Sequence, residues 1–283
     1  MPITTPYQFS FDGQTFGAST AFPIQSVDGL ESLPMIRAQD DNRGYADGMF
    51  SGRDFLGGRT VSVIFTTLAN GATSAQANYN TIQQALLPQT SGTTPLYFKL
   101  SSAGGEQFVN ARVRALRTTV DPNYTYGYIT SQVDFFCPIP LIYDSTLQTA
   151  SMTLGGGLGR VYNRTYNLVY KTATAPFTVV NNAGWATTYP TITFNGPITN
   201  PIIGNQTQNS YLYFGYSFAD TDICVIDLEN KLVTLNGNSA RNLVLGASEW
   251  FSAPPGNNNF YWSGSGTLVP TTSATVTWRN AYV

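Results

Sequence analysis

The 283-residue chain contains no histidine, and that absence removes most common catalytic arrangements. Ser-His-Asp and Cys-His constellations need an imidazole base, and His-containing zinc sites need it as a ligand. Cys137 and Cys224 are too few for a four-thiolate site within one chain. A cysteine nucleophile also needs a base or an electropositive setting. Cys137 instead precedes Pro138 in an apolar run, so packing is its expected role. Carboxylates remain. A glycosidase sets two of them about 5–10 Å apart across a sugar, but no signature of such a pair is recognisable. Asp220 and Asp222 would share one face of a strand, and calcium there would want six to eight oxygens. A turn into a strand is the better reading, because Asp bonds nearby backbone amides. The Gly155-Gly156-Gly157-Leu158-Gly159 run lacks the Gly-Lys-Ser/Thr of a phosphate loop and leads into strand-like Arg160-Val161-Tyr162-Asn163, so it reads as a bend. No catalytic residue, metal ligand or cofactor site is expected, and the chain is not expected to be an enzyme.

Residues suited to contact are more promising. Arg112, Arg114 and Arg117 cluster on one strand-like segment. In a regular strand Arg112 and Arg114 share a face and Arg117 points the other way. Without interleaved aromatics they fall short of a nucleic-acid groove. Residues 38–58 lack periodicity and mix charge with glycine, including Asp40, Asp41, Arg43, Asp47, Arg53 and Asp54. Such a stretch inside a compact domain is functional or a mobile surface loop. Pairing of its acids with the three arginines of a neighbouring copy is the sharper expectation. The four tryptophans fall in the second half with Tyr211, Tyr213, Tyr216 and Tyr261. They read mostly as core and interface anchors, with Tyr211, Tyr213 and Tyr216 as candidate partner or glycan contacts.

The elements that position these residues are mainly β. Residues 60–65, 96–100, 109–117 and 128–136 read as strands. Ala75, Tyr79, Ile82 and Leu86 recur at helical spacing and predict one helix over 74–87, with Thr73 and Gln76 at capping-box spacing and Pro88 closing it. A sheet crossed by one helix is the expected first domain. From residue 190 onward short strands alternate with turns at Asn195-Gly196, Glu229-Asn230, Asn236-Gly237 and Pro255-Gly256, the pattern of a sandwich or jelly roll. Eleven of the sixteen acids and eight of the fourteen bases precede residue 146, and no acid lies between Ser145 and Ala219. With Pro138 and Pro140 ending a strand just before, domains of 1–145 and 146–283 are expected, and residues 151–185 would form a pair of strands crossing between them.

Composition bounds the function classes. Charged residues are 11% of the chain, against about 25% in ordinary soluble domains. A β-rich surface so poor in charge is badly protected against self-association and suits a protein covered by neighbours. The net charge of -2 gives no reason to expect nucleic-acid binding. Met1-Pro2-Ile3-Thr4-Thr5 has no basic region followed by an apolar one, so no export signal is expected. No apolar run reaches the roughly 18 residues of a membrane span, and no membrane insertion is expected. Among the classes this composition leaves open are a Thr/Asn-rich secreted β-protein and a carbohydrate-binding module carried on a larger assembly or a secreted protein.

The order of the C-terminal segments resembles the C-terminal domain of distal tail proteins from siphovirus-type bacteriophages. The specific parts are the turn-flanked Ile226-Asp227, Trp250-Phe251 before Pro255-Gly256-Asn257, and the closing Trp278-Arg279-Asn280-Ala281. A looser match covers Val27-Asp28-Gly29-Leu30-Glu31-Ser32-Leu33-Pro34, Arg37, Asp47-Gly48 and Gly57-Gly58-Arg59. The resemblance implies an N-terminal β-sandwich, tail-tube-like domain with one α-helix that forms a ring, and a C-terminal galectin-like β-sandwich. It implies a homohexamer in the virion tail tip, made in the bacterial host cytoplasm. Its implied partners are the tail tube protein, a tail-associated hub protein, the tape-measure protein and receptor-binding proteins, with DNA passing through unbound. In that family the segment matching residues 38–58 lies over the adjacent subunit. The sugar-binding residues of true galectins include a histidine that this chain lacks.

Overall fold

The computed structural model describes residues 3–88, 90–152, 154–155, 177–266 and 272–283. It divides into two compact units, Met1–Ser145 with Val283, and Thr146–Tyr282. The architecture is mainly β with a single α-helix among the described residues.

In the first unit the strands are β1 Gln8–Phe11, β2 Gln14–Gly17, β3 Ile24–Asp28, the short β4 Ile36–Arg37, β5 Asp41–Asn42, β6 Met49–Phe50 and β7 Phe55–Leu56, then β8 Arg59–Leu68, β9 Thr94–Lys99, β10 Gln107–Thr119, β11 Tyr128–Cys137 and β12 Ile142–Asp144. The main sheet runs β2-β1-β9-β10-β11-β8-β3, with β12 beside β10. Alternation fixes its inner face: Val61, Val63 and Phe65 of β8 and Ile129, Val133 and Phe135 of β11 are buried. Phe11 packs on Phe135 with centroids 4.9 Å apart and Phe16 on Phe65 at 5.2 Å, so the two ends of the sheet face each other across this aromatic core.

Helix α1, Ala72–Ala85, covers part of that face. Ala75, Ile82 and the following Leu86 are buried as their spacing predicts. Tyr79 is half-buried and accepts a hydrogen bond from Thr118 Oγ1 at 3.1 Å. The expected capping box does not form. The N-cap is Gly71 at φ 86°, without a side-chain cap, and Thr73 already lies in the first turn. The exit from β8 is a sharp turn that calls for positive φ, which glycine adopts freely.

The second unit holds β13 Gln148–Met152, β14 Leu154–Gly155, β15 Phe177–Asn182, β16 Thr191–Asn195, β17 Ile198–Asn205, β18 Ser210–Tyr213, β19 Ser217–Phe218, β20 Ile223–Asp227, β21 Leu232–Leu235, β22 Asn238–Ser239, β23 Gly256–Ser265, β24 Ser273–Trp278 and β25 Ala281–Tyr282. One sheet runs β13-β24-β16-β20-β21-β22; the other runs β14-β23-β17-β18, with β15 on β23 and β19 on β17. Ile192, Phe194, Cys224, Ile226 and Val276 of the first sheet share a core with Ile203, Leu212, Phe260 and Trp262 of the second, which makes a sandwich. Asn236 and Gly237, at φ 50° and 82°, form the β21–β22 hairpin turn. Asp222 behaves as a turn residue: its carboxylate accepts from Ala219 N at 2.8 Å and Asn236 Nδ2 at 2.8 Å. Residues 248–251 hold no strand; Ser248 N and Glu249 N donate to Leu245 O and Tyr211 O. Most of the 151–185 stretch lies outside the described residues, as does the bend read over residues 155–159 except for Gly155, which ends β14.

Candidate functional site

Residues 38–58, aperiodic in sequence, form part of an extended β-hairpin arm. Ile36 pairs with Leu56 and Arg37 with Phe55; farther out, Asp41 pairs with Phe50 and Asn42 with Met49. Gly57 N donates to Met35 O at 2.7 Å at the base, and Arg43 N to Gly48 O at 3.3 Å near the tip. Between the two ladders the limbs come so close that a Cβ on Gly52 would lie 1.7 Å from the Gln39 carbonyl oxygen. Gly52 N donates to Asp40 Oδ1 at 2.8 Å there. Every residue from 35 to 56 is exposed, which explains the missing alternation: neither face of this hairpin has a core to face.

The arm is rooted by Arg59, whose side chain is 2% exposed. Its Nη1 donates to Gly29 O at 2.9 Å, to Ser32 O at 3.0 Å and to Leu30 O, and its Nε donates to Pro140 O at 3.2 Å. Burial lowers the Arg59 pKa, and neighbouring Cys137 and Glu31 act in the opposite sense. Burial likewise pushes the Cys137 and Cys224 thiols up, each to about 12.

The arm exposes Met35, Ile36, Tyr45, Met49, Phe50, Phe55 and Leu56. Its cations are stacked on its own rings, with Arg37 5.9 Å and Arg53 5.3 Å from the Phe55 centroid and Arg43 5.1 Å from that of Phe50. The carboxylates of Asp41, Asp47 and Asp54 have no ionic or hydrogen-bond partner among the described residues. Contiguous exposed apolar side chains beside carboxylates without ionic partners make the arm the candidate contact surface.

The arginine cluster departs from a regular strand. Between Val113 and Ala115 the register of β10 against β11 shifts, so Arg112 lies opposite Phe136 and Arg117 opposite Gln132. The bulge at Arg114 therefore brings Arg117 back to the outer face that carries Arg112 and Arg114. Arg112 and Arg114 both lie over the Phe136 ring, at 5.8 and 4.8 Å. Arg112 Nε is buried without a hydrogen-bond partner. Arg117 is engaged within the chain: its Nη1 is 2.5 Å from Asp134 Oδ2. Asp134 Oδ1 also accepts from Ser62 Oγ at 2.7 Å and Gln132 Nε2 at 3.0 Å. Burial pushes the Asp134 pKa up, but these hydrogen bonds and the Arg117 charge outweigh it and hold it below the usual value. Asp134 and Phe136 were not singled out from sequence. Their alternation with buried Phe135 and Cys137 was the signal that they face outward beside the arginines.

In the second unit Tyr211 and Tyr213 stand together, centroids 6.3 Å apart, on the outer face of the β17–β18–β23 sheet. Tyr261 joins them at 6.3 Å from Tyr211. Tyr216 does not: its ring packs edge-on against the core residue Phe218 at 4.9 Å.

The first unit thus carries an exposed hairpin arm and, on the outer face of its sheet, three arginines. Residues 183–282 match the family described as siphovirus-type tail component, C-terminal domain. No curated protein matches the sequence. Among solved structures, the chain is similar to the Dit (gp 19.1) protein of SPP1, described as a paradigm of the hub adsorption apparatus in phages infecting Gram-positive hosts. The TM-score is 0.70 at 19% identity, over 98% of this chain and 99% of that one. It is also similar to a chain of the phage P2 baseplate in its activated conformation with Ca, with a TM-score of 0.52 at 8% identity over 96% and 97% of the two chains. The resemblance read from the sequence is thus borne out, in the C-terminal domain by the family match and over the whole chain by the fold.

Proposed function

We propose that this chain is a ring-forming distal tail protein of a siphovirus-type phage, a structural hub without catalysis that joins the tail tube to the receptor-binding apparatus. In this reading six copies close a ring from their first units, which continues the tube and leaves a channel for DNA. The second units carry or brace the tail-associated, tape-measure-contacting and receptor-binding parts, in virions assembled in the host cytoplasm. The observation that supports it most is the arm, whose apolar side chains are exposed and whose Asp41, Asp47 and Asp54 carboxylates have no partner among the described residues. Arg112 and Arg114, stacked on Phe136 with no carboxylate of their own among the described residues, supply the complementary charge on a neighbour. Arg117, spent on Asp134, contributes little to that contact. Asp40, Arg43 and Arg53 shape the arm from within.

Light scattering behind size exclusion tests the reading. A closed ring at moderate concentration is expected. A strict monomer at high concentration, and also with tail partners present, would exclude it.

A further inference from the structure

The sheet β14-β23-β17-β18, with β15 and β19, contains no Asp, Glu, Lys or Arg in its strands. Its outer face is nevertheless polar and aromatic. Register aligns Tyr211 of β18 with Gly204 of β17, and Gly204 with Tyr261 of β23. The Tyr211 ring lies across Gly204: a Cβ there would meet Tyr211 Cδ1 at 2.3 Å and Cγ at 2.8 Å. Tyr261 stands at 87° to Tyr211, so one ring makes a floor and the other a wall. Two residues along β23, on the same face, is Asn259. None of the phenols of Tyr211, Tyr213 and Tyr261, nor the Asn259 amide, has a hydrogen-bond partner among the described residues, and all four side chains are half-buried. Such a set combines a flat apolar surface with neutral donors and acceptors left free.

We propose that the Tyr211–Tyr261 corner of the second unit is a binding site for a neutral carbohydrate, with one pyranose stacked on Tyr211 and its hydroxyls bonded by Asn259 and the tyrosine phenols. A charged ligand has no counter-ion among these strands. A purely apolar one would leave the amide and three phenols unpaired, whereas a sugar presents C–H groups on one face and hydroxyls around its rim. The site is independent of ring closure, which concerns the first unit.

Ligand-observed saturation-transfer NMR on the full chain tests it, with the methyl pyranosides of glucose, galactose and N-acetylglucosamine as probes at millimolar concentration. Transfer to the ring C–H protons of at least one sugar is expected. It should fall by about tenfold in Tyr211→Leu and in Asn259→Ala, and persist in Trp185→Ala, whose side chain is exposed elsewhere in the unit and packs on Tyr282. Should Tyr211→Leu fail to fold, Tyr261→Leu and Asn259→Ala serve the same purpose. No transfer from any of the three sugars, as for a face that docks a protein, would overturn the proposal. So would transfer lost only in Trp185→Ala.

Discussion

At Arg59 a buried guanidinium gathers four backbone carbonyls, three of them from the turn before the arm and one from Pro140. Truncating it leaves those carbonyls buried and unpaired, at about 1–3 kcal/mol for each one that water cannot reach. Arg59→Ala should therefore cost about 3 kcal/mol or more in urea unfolding; a loss under about 1 kcal/mol would mean the arm root is held by something else. Asp134 makes a different kind of prediction. Its pairing with Arg117 is exposed on the Arg side, and such pairs contribute about 0–1 kcal/mol. Arg117→Ala should change stability little. The bonds from Ser62 and Gln132 matter more, and because the folded pKa lies below the unfolded value of about 3.9, their stabilisation is complete above that pH and lost as pH falls through the lower, folded pKa. The stability gap between the parent and Asp134→Asn should accordingly shrink below about pH 4. A gap that stays constant into strong acid would contradict this origin. Sequence alone exposed the arginines but not these partners, since Asp134 and Phe136 sit in a strand that reads simply as alternating.

The elements most legible in the sequence were those with one buried face. Strand β11 alternates over its whole length, and the α1 stripe names its own buried residues. Ile82→Ala should cost about 2–5 kcal/mol, whereas Thr81→Ala, exposed and bonded only to its own helix at Ala77 O, should cost far less. Equal costs measured by thermal unfolding would show the face to be misassigned. The elements that escaped reading lack such a face or break the period. The arm has two exposed faces, so nothing in its sequence repeats. The β10 bulge adds one residue that reverses the side on which Arg117 emerges. The start of α1 was displaced because the turn geometry at Gly71 overrode a good cap at Thr73.

At the scale of the whole molecule, the proposed ring would have to let DNA slide without holding it, because each phosphate gripped by Arg or Lys adds affinity that resists sliding. The first 145 residues carry more acids than bases, and Arg112, Arg114 and Arg117 are stacked on Phe136 or paired with Asp134 within the chain. Titrating the assembled ring with short duplex DNA near physiological salt should show at most weak binding. Tight, steeply salt-dependent binding that disappears in Arg112→Ala with Arg114→Ala would indicate a DNA-holding role instead. In the proposed reading, assembly rests on the arm. Replacing residues 38–54 with a short turn removes no buried side chain, so the monomer should keep its stability to within about 0.5 kcal/mol. Negative-stain imaging of the full chain and of that shortened variant is the most direct test: closed rings from the first and isolated monomers from the second are predicted, and rings that persist without the arm, or never form with it even with tail partners present, would contradict the account.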